Sequence, residues 1–304
     1  MPGDSRGPQG ARRRQVRRIL RDYAFILPQL TLYVAFTIVP FFVGLPMAFT
    51  DMESFTDTEV AMVGASNFVE IARDPILKAE LGGALVRTLR FTGLNYLMVY
   101  LFGMVLALLM YEIGFRGGFF TIIYLPMMVS GLAIGFMATM LFAQSSGTMN
   151  LLLLQLGWIK APIDIKQASG VTLFLPLLMG WRSAGFNMAL FLAGLLAIPK
   201  ETIEAATIDG ASYLQRLLRV YFPQMMPSFI IATIFCLINS FNIFETLIAL
   251  GAMTGNQEAR FLSVLFFEYG FNRGRLALGL ELGIPLFIVG LLLQRLQRHL
   301  QYQV

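Results

Sequence analysis

The chain has 304 residues, 57% of them apolar and only 13% charged, with a mean hydropathy of +0.68 and a formal net charge of +5. Soluble domains average about 45–50% apolar and about 25% charged residues, so this is the composition of an integral membrane protein. One Cys and one His exclude an internal disulfide and a His-based metal cluster, none of the four Lys precedes Ser or Thr as a Walker loop requires, and no Gly-x-Ser-x-Gly elbow occurs, which together point to a conduit and away from an enzyme.

Residues 1–23 form a basic segment in which Arg12, Arg13, Arg14, Arg17, Arg18 and Arg21 precede the first apolar run. That run, 24–49, is far longer than the roughly 7–15 residues of a signal-peptide core. It reads as a membrane anchor whose basic flank stays in the cytoplasm, with contact to anionic lipid or to a cytoplasmic partner as the more specific alternative. Crossing about 30 Å of hydrocarbon takes about 20 apolar residues. Runs of that kind at 24–49, 88–111, 119–142, 171–197, 228–251 and 275–294 predict an all-α integral membrane fold of about six transmembrane helices. They make 24–294 one membrane domain and 295–304 a cytoplasmic tail.

Seven acids between the first two runs (Asp51, Glu53, Asp57, Glu59, Glu70, Asp74 and Glu80) face only Arg73 and Lys78, which places 51–82 outside. Arg116, Arg216, Arg219, Arg295 and Arg298 then fall inside, with Arg87, Arg90 and Arg275 near outer ends against the trend. Pro28, Pro40, Pro46, Pro126, Pro176 and Pro285 predict kinked spans, and Pro285 frees the carbonyl of Glu281. Gly131–Gly135 and Gly279–Gly283 have the spacing that lets helices approach closely.

Ionisable residues inside spans are functional candidates. Arg182 sits about ten residues into the fourth run, with Asn187 beyond it, and is expected either to pair with Glu245 or Glu281 or to face a solute. Asn239, Asn242, Glu245 and Thr246 fall within about 120° on a helical wheel of the fifth run. Such a stripe suits a polar solute path or hydrogen bonds between helices. Stacking of a sugar ring on Trp181 or Tyr96 is a further expectation.

Between the fourth and fifth runs lies a segment too charged for hydrocarbon. Glu204, Asp209, Arg216 and Arg219 would each cost about 2.5–3.5 kcal/mol at the membrane centre. Yet 199–227 is patterned as folded structure. Pro199 suits a helix start, Gly210 a break, and Leu214, Leu217, Leu218 and Tyr221 recur as one apolar face of a second short helix. A helix–Gly–helix knob between spans predicts a docking element for a soluble partner.

The run Glu204–Ala211 (EAATIDGA), with Gln215, Phe222-Pro223 and Pro227, resembles the EAA loop of permease subunits of binding-protein-dependent ABC importers. Val63–Phe68 is similar to the Gly-x-x-Asn-Phe segment of the carbohydrate-uptake branch (maltose and glycerol-phosphate type). Leu125-Pro126, Ala193-Gly194-Leu195 with Ile198-Pro199, and Phe241–Glu245 resemble it too. The chain departs from that pattern at Leu214 and Leu217, where aromatic residues are usual, at Thr254-Gly255-Asn256, where Gly-Gly-Pro is usual, and at Glu281.

The resemblance implies an ABC-importer permease fold in a bacterial or archaeal inner membrane, with both termini cytoplasmic. It implies that 199–227 couples to an ATPase, with Glu204 as anchor carboxylate, Ala205 and Ala206 as small contacts, and Asp209 and Gly210 at the turn. It also implies a second permease, two cytoplasmic ATPases, an extracytoplasmic solute-binding protein and a lipid bilayer as partners, with no nucleic acid, no cofactor and no catalytic residue in this chain. The expected solute is a sugar or sugar-like molecule. The alternatives are another polar solute (a phosphate ester or polyamine), or a secondary transporter coupled through Glu245 or Glu281.

Overall fold

The computed structural model describes residues 8–114 and 117–301; Arg116, placed inside above, lies outside them. Helix α1 (Pro8–Tyr33) continues through one π turn (Val34–Ile38) into α2 (Val39–Met47). The π turn precedes Pro40, whose missing N–H and ring cannot serve a regular turn, and the Val39 amide reaches back to the Val34 carbonyl instead. Over Arg21–Met47 this rod buries almost nothing within the chain, with Phe41 against Phe287 at 4.7 Å as one contact. Beyond it, Asn67 in α3 (Ser66–Arg73) donates to the Ala48 and Thr50 carbonyls at 3.3 and 3.0 Å, tying α3 to the end of α2. That gives the Asn of the Gly-x-x-Asn-Phe segment a physical task.

The second span begins at Pro75, not near 88. The Asp74 side chain accepts from the Ile76 and Leu77 amides and Pro75 takes a first-turn position, a strong helix start, so α4 (Pro75–Ile113) extends well beyond the apolar run. The third span is broken. Helix α5 (Gly117–Tyr124) passes through a 3₁₀ turn (Leu125–Met128) containing Pro126, and α6 (Gly131–Leu141) leaves at 93°. A short α7 (Thr148–Gln155) precedes α8 (Ala168–Leu196). Then α9 (Lys200–Ile208) turns off by 71°, followed by α10 (Tyr213–Arg216), a π turn (Leu217–Tyr221) and α11 (Phe222–Gln224). The fifth span is also interrupted: α12 (Met226–Phe241) stops, and α13 (Glu245–Ala249) resumes after Asn242–Phe244. Helix α14 (Leu262–Phe267) and the long α15 (Leu276–Gln301) complete the chain. Among the described residues two helices are long and apolar enough to cross a membrane, and up to five spans when each bent pair counts as one; α15 is a further long helix.

Helices α4 and α8 run parallel at the centre, brought together by small residues. A Cβ on Gly103 would lie 2.7 Å from the Asn187 Cβ, and one on Gly180 would lie 2.5 Å from the Met98 Cβ. Met104, Met188, Phe191, Leu195 and Met225 fill the core at one end; Leu77, Ala84, Leu265, Tyr269 and Leu278 fill it at the other. Gly131 and Gly135 seat α13; a Cβ on Gly135 would lie 2.6 Å from the Ala249 Cβ. Of the second glycine pair, Gly279 abuts Gly270 whereas Gly283 faces open space. Cys236 is buried against Asn95 and Ser240.

The two ends of the bundle differ. The 199–227 segment lies beside the end of α4, where Tyr111 meets Tyr221 at 6.2 Å. At the opposite end the Leu276 amide bonds the Glu53 carbonyl at 3.2 Å, joining the acidic 51–82 segment to the start of α15. There Arg260, 7% exposed, pairs with Glu268 at 2.8 Å and Glu80 at 3.4 Å. Arg273 reaches the same two carboxylates, and Tyr269 donates to Glu80 at 2.6 Å. Burial and the Glu80 carboxylate push the Tyr269 phenol up to about 12, so it stays a donor at neutral pH. This network pins the 252–275 segment onto α4.

Candidate coupling element and solute path

Pro199 is the N-cap of α9 and Glu201 lies in its first turn, where a carboxylate complements the helix dipole. Glu204, Ala205, Asp209 and Gly210 are exposed and Ala206 is half-buried. Gly210 has φ +76°. Its amide bonds the Thr207 carbonyl at 3.1 Å while the Ala211 amide bonds that of Ala206 at 3.0 Å, the paired closure that favours glycine at a helix end. Ser212 and Gln215 form a reciprocal capping box that starts α10, which accounts for Gln215. Arg216 Nη1 donates to Thr207 Oγ1 at 2.5 Å and ties the two short helices together.

The predicted apolar face divides. Leu217 and Tyr221 pack into the core, but Leu214 and Leu218 stand exposed, because the π turn at Leu217–Tyr221 widens the helix and rotates them apart. The sequence reasoning missed Ile208, which is 86% exposed beside Gly210. Its signal was an aliphatic residue alone between Thr207 and Asp209. The result is a water-facing knob of carboxylate, small residues and isolated apolar side chains, suited to insertion into a protein cleft.

Within the spans, Arg182 and Glu245 converge on the break in the third span. Arg182 Nε donates to the Val129 carbonyl at 3.2 Å, which no helix satisfies. Glu245 Oε2 accepts from the Leu132 amide at 3.3 Å and Thr246 Oγ1 donates to the Gly131 carbonyl at 3.1 Å. Backbone freed at membrane depth must find such partners. Arg182 pairs with neither Glu245 nor Glu281 among the described residues, and its two Nη groups make no hydrogen bond there.

Asn239, Asn242 and Glu245 are exposed, but the helix stops at Asn242, so they do not form the single helical stripe read from periodicity. Ser263 Oγ donates to the Ile243 carbonyl at this second break. Asn242 lines an open cleft of 370 Å³ with Phe241, Phe244, Phe266 and Phe271. Asn187 is buried in the α4–α8 contact and its side-chain amide donates to the Ser183 carbonyl at 2.9 Å. Trp181 is exposed beside Arg182, and Tyr96 lies tilted against Tyr100 with ring centroids 4.4 Å apart. Glu281 is fully buried next to the Phe68 amide in the first turn of α3, without a hydrogen bond of good geometry.

Residues 99–304 match the family described as binding-protein-dependent transport system inner membrane component. The chain is 25% identical over 268 residues to the probable starch degradation products transport system permease protein AmyD of Thermoanaerobacterium thermosulfurigenes, covering 88% of this chain and 89% of that one. It is 27% identical over 272 residues to the arabinooligosaccharides transport system permease protein AraP of Bacillus subtilis, covering 88% and 84%. A bacterial ABC transporter involved in import of the acidic polysaccharide alginate shares the fold with a TM-score of 0.78, at 24% identity and covering 96% of this chain and 98% of that one.

Proposed function

The chain belongs to the family of binding-protein-dependent transport system inner membrane components, and from that premise we propose that it is one permease half of an ATP-driven importer for a saccharide or saccharide-like solute. The observation that carries the mechanism is the exposed α9–Gly210–α10 knob at one end of the bundle. Closure of two ATPases on ATP would draw this knob and that of a second permease together and rock the spans between inward- and outward-facing states. A binding protein would deliver solute at the acidic end. Saccharide fits the transport roles named for AmyD and AraP, and the polar path runs past Arg182, Glu245, Asn239 and Asn242, with Asn187 as helix packing.

Reconstitution with the ATPases and binding protein tests this: uptake should require all subunits and ATP. Transport without ATPases would favour ion coupling through Glu245 or Glu281. For topology, single cysteines at Glu59 and Gln257 in a Cys236→Ser background should label from outside intact cells, and one at Gln215 should not. Labelling of Gln215 alone would reverse the orientation.

Arg182 permits a sharper choice of solute. Gln at 182 can still donate to the Val129 carbonyl, while the free guanidinium nitrogens that would grip a carboxylate are lost. Arg182→Gln should leave uptake of a neutral oligosaccharide within about twofold and cut that of an anionic one about tenfold, or about 1.4 kcal/mol. An equal fall for both would make Arg182 only the clamp of the broken helix.

A further inference from the structure

Helix α7 turns a polar side chain inward and leaves apolar ones outside. Its one buried polar side chain, Asn150, donates to the Phe142, Ala143 and Ile163 carbonyls at 3.0, 3.3 and 3.0 Å and accepts from the Ile163 amide at 2.9 Å. Leu151, Leu152 and Leu156 point outward with Gln155, on one arc of about 140° at 100° per residue. Gly157, at φ +69°, ends the helix, and the Trp158 amide closes on the Leu153 carbonyl at 3.0 Å. Trp158 is thereby fixed in place yet 75% exposed. A surface helix in water buries its leucines and shows its amides; α7 leaves Leu151 and Leu152 exposed while Asn150 is buried and locks it in that pose.

Two further observations say what covers this face. From Ala143 to Ile163 there is no acid, and the only charge is the exposed Lys160, whereas the 51–82 segment at the same end carries seven acids. The exposed leucines also follow on from Phe136, Met137, Met140 and Leu141, the unpartnered side of α6. Leucine, tryptophan and an isolated lysine are the composition of the membrane interface. Helix α6 has 11 residues and so rises only about 16 Å, roughly half the hydrocarbon thickness.

We infer that α7 and Trp158 form a foot lying in the interfacial layer of the phospholipid bilayer, at the end of the bundle opposite the coupling element. Leu151, Leu152 and Leu156 enter the acyl boundary, Trp158 sits at the headgroups and Lys160 meets lipid phosphate. The foot holds the far end of the broken third span at fixed depth. This rests on the membrane-spanning fold and is independent of the solute.

A spin label at Leu152→Cys in the Cys236→Ser chain, in the complex assembled with cysteine-free partner subunits in phosphatidylglycerol-containing nanodiscs, tests it. The label should collide with dissolved oxygen and be shielded from a water-soluble nickel chelate, while a label at Glu59→Cys shows the reverse. Adding Trp158→Ala should raise nickel access at 152 several-fold, and Trp158→Phe should not. Nickel access at 152 in the otherwise unaltered chain would overturn the proposal in favour of a soluble partner. Shielding from both probes would overturn it in favour of contact with the second permease. A nickel-shielded Glu59 label would show instead that this end of the bundle is misassigned, and the foot with it.

Discussion

Glu204→Arg and Gly210→Val should each insert into the membrane normally and yet uncouple transport from ATP hydrolysis. Both positions are exposed on the knob, so neither supports the core, and labelling of single cysteines at Glu59 and Gln257 should be unchanged. Glu204→Arg places a cation where a carboxylate is proposed to meet a basic cleft, and like charges brought together cost several kcal/mol. Gly210 closes α9 at φ +76°, a conformation that costs a residue with a Cβ about 1–2 kcal/mol. Valine should turn the knob aside rather than pay that strain in place, and Gly210→Ala should be milder. Each variant should weaken ATPase association on the order of 10- to 100-fold, since 1.4 kcal/mol is tenfold. Co-purification of the ATPases and solute-stimulated ATP hydrolysis are the readouts; wild-type values for both variants would remove the docking role from 199–227. Ile208→Asp, at the apolar tip, should behave like Glu204→Arg.

What could be read from the sequence follows from how local each signal is. The knob was legible because its parts lie in one short stretch of chain, 199–221: a proline, a glycine at the break, apolar residues at helical spacing and charges that hydrocarbon rejects. The spans were legible as apolar runs and Pro126 marked a kink in the third, but the interruption of the fifth span was not legible. The groups that make the breaks at Val129–Ser130 and Asn242–Phe244 tolerable are distant in sequence. Arg182 serves Val129 from 53 residues away and Glu245 serves Leu132 from 113. Treating Asn239, Asn242 and Glu245 as one stripe assumed an unbroken helix, and that is where the periodicity argument failed. For the same reason Arg182 looked like half of an ion pair: a buried cation invites a carboxylate, but a freed carbonyl satisfies part of it.

The ionic network at the acidic end was invisible for a further reason, since charges near span ends are counted as topology signals and not as partners. Arg260 is the member whose loss should cost most. It is the most buried of the set and bonds Glu268 and Glu80 at once, the latter across 180 residues of chain. Its own carbonyl accepts from Arg87 Nε at 3.1 Å, so α4 holds it from two sides. Removing one partner of a buried pair is expected to cost about 3–5 kcal/mol because it strands the other charge. Arg273 remains beside both carboxylates and Glu80 keeps Tyr269, which should trim the loss for Arg260→Ala to about 2–3 kcal/mol by the same measure. The 252–275 segment should then loosen from α4, seen as faster labelling of a cysteine at Gln257 and a lower unfolding temperature in detergent. Adding Glu268→Gln removes the stranded charge and should recover part of the stability, whereas Glu268→Gln alone should destabilise. If Arg260→Ala unfolds like the parent, the network is only a surface cluster, and the acidic end must owe its shape to the packing of Leu77, Leu265 and Leu278.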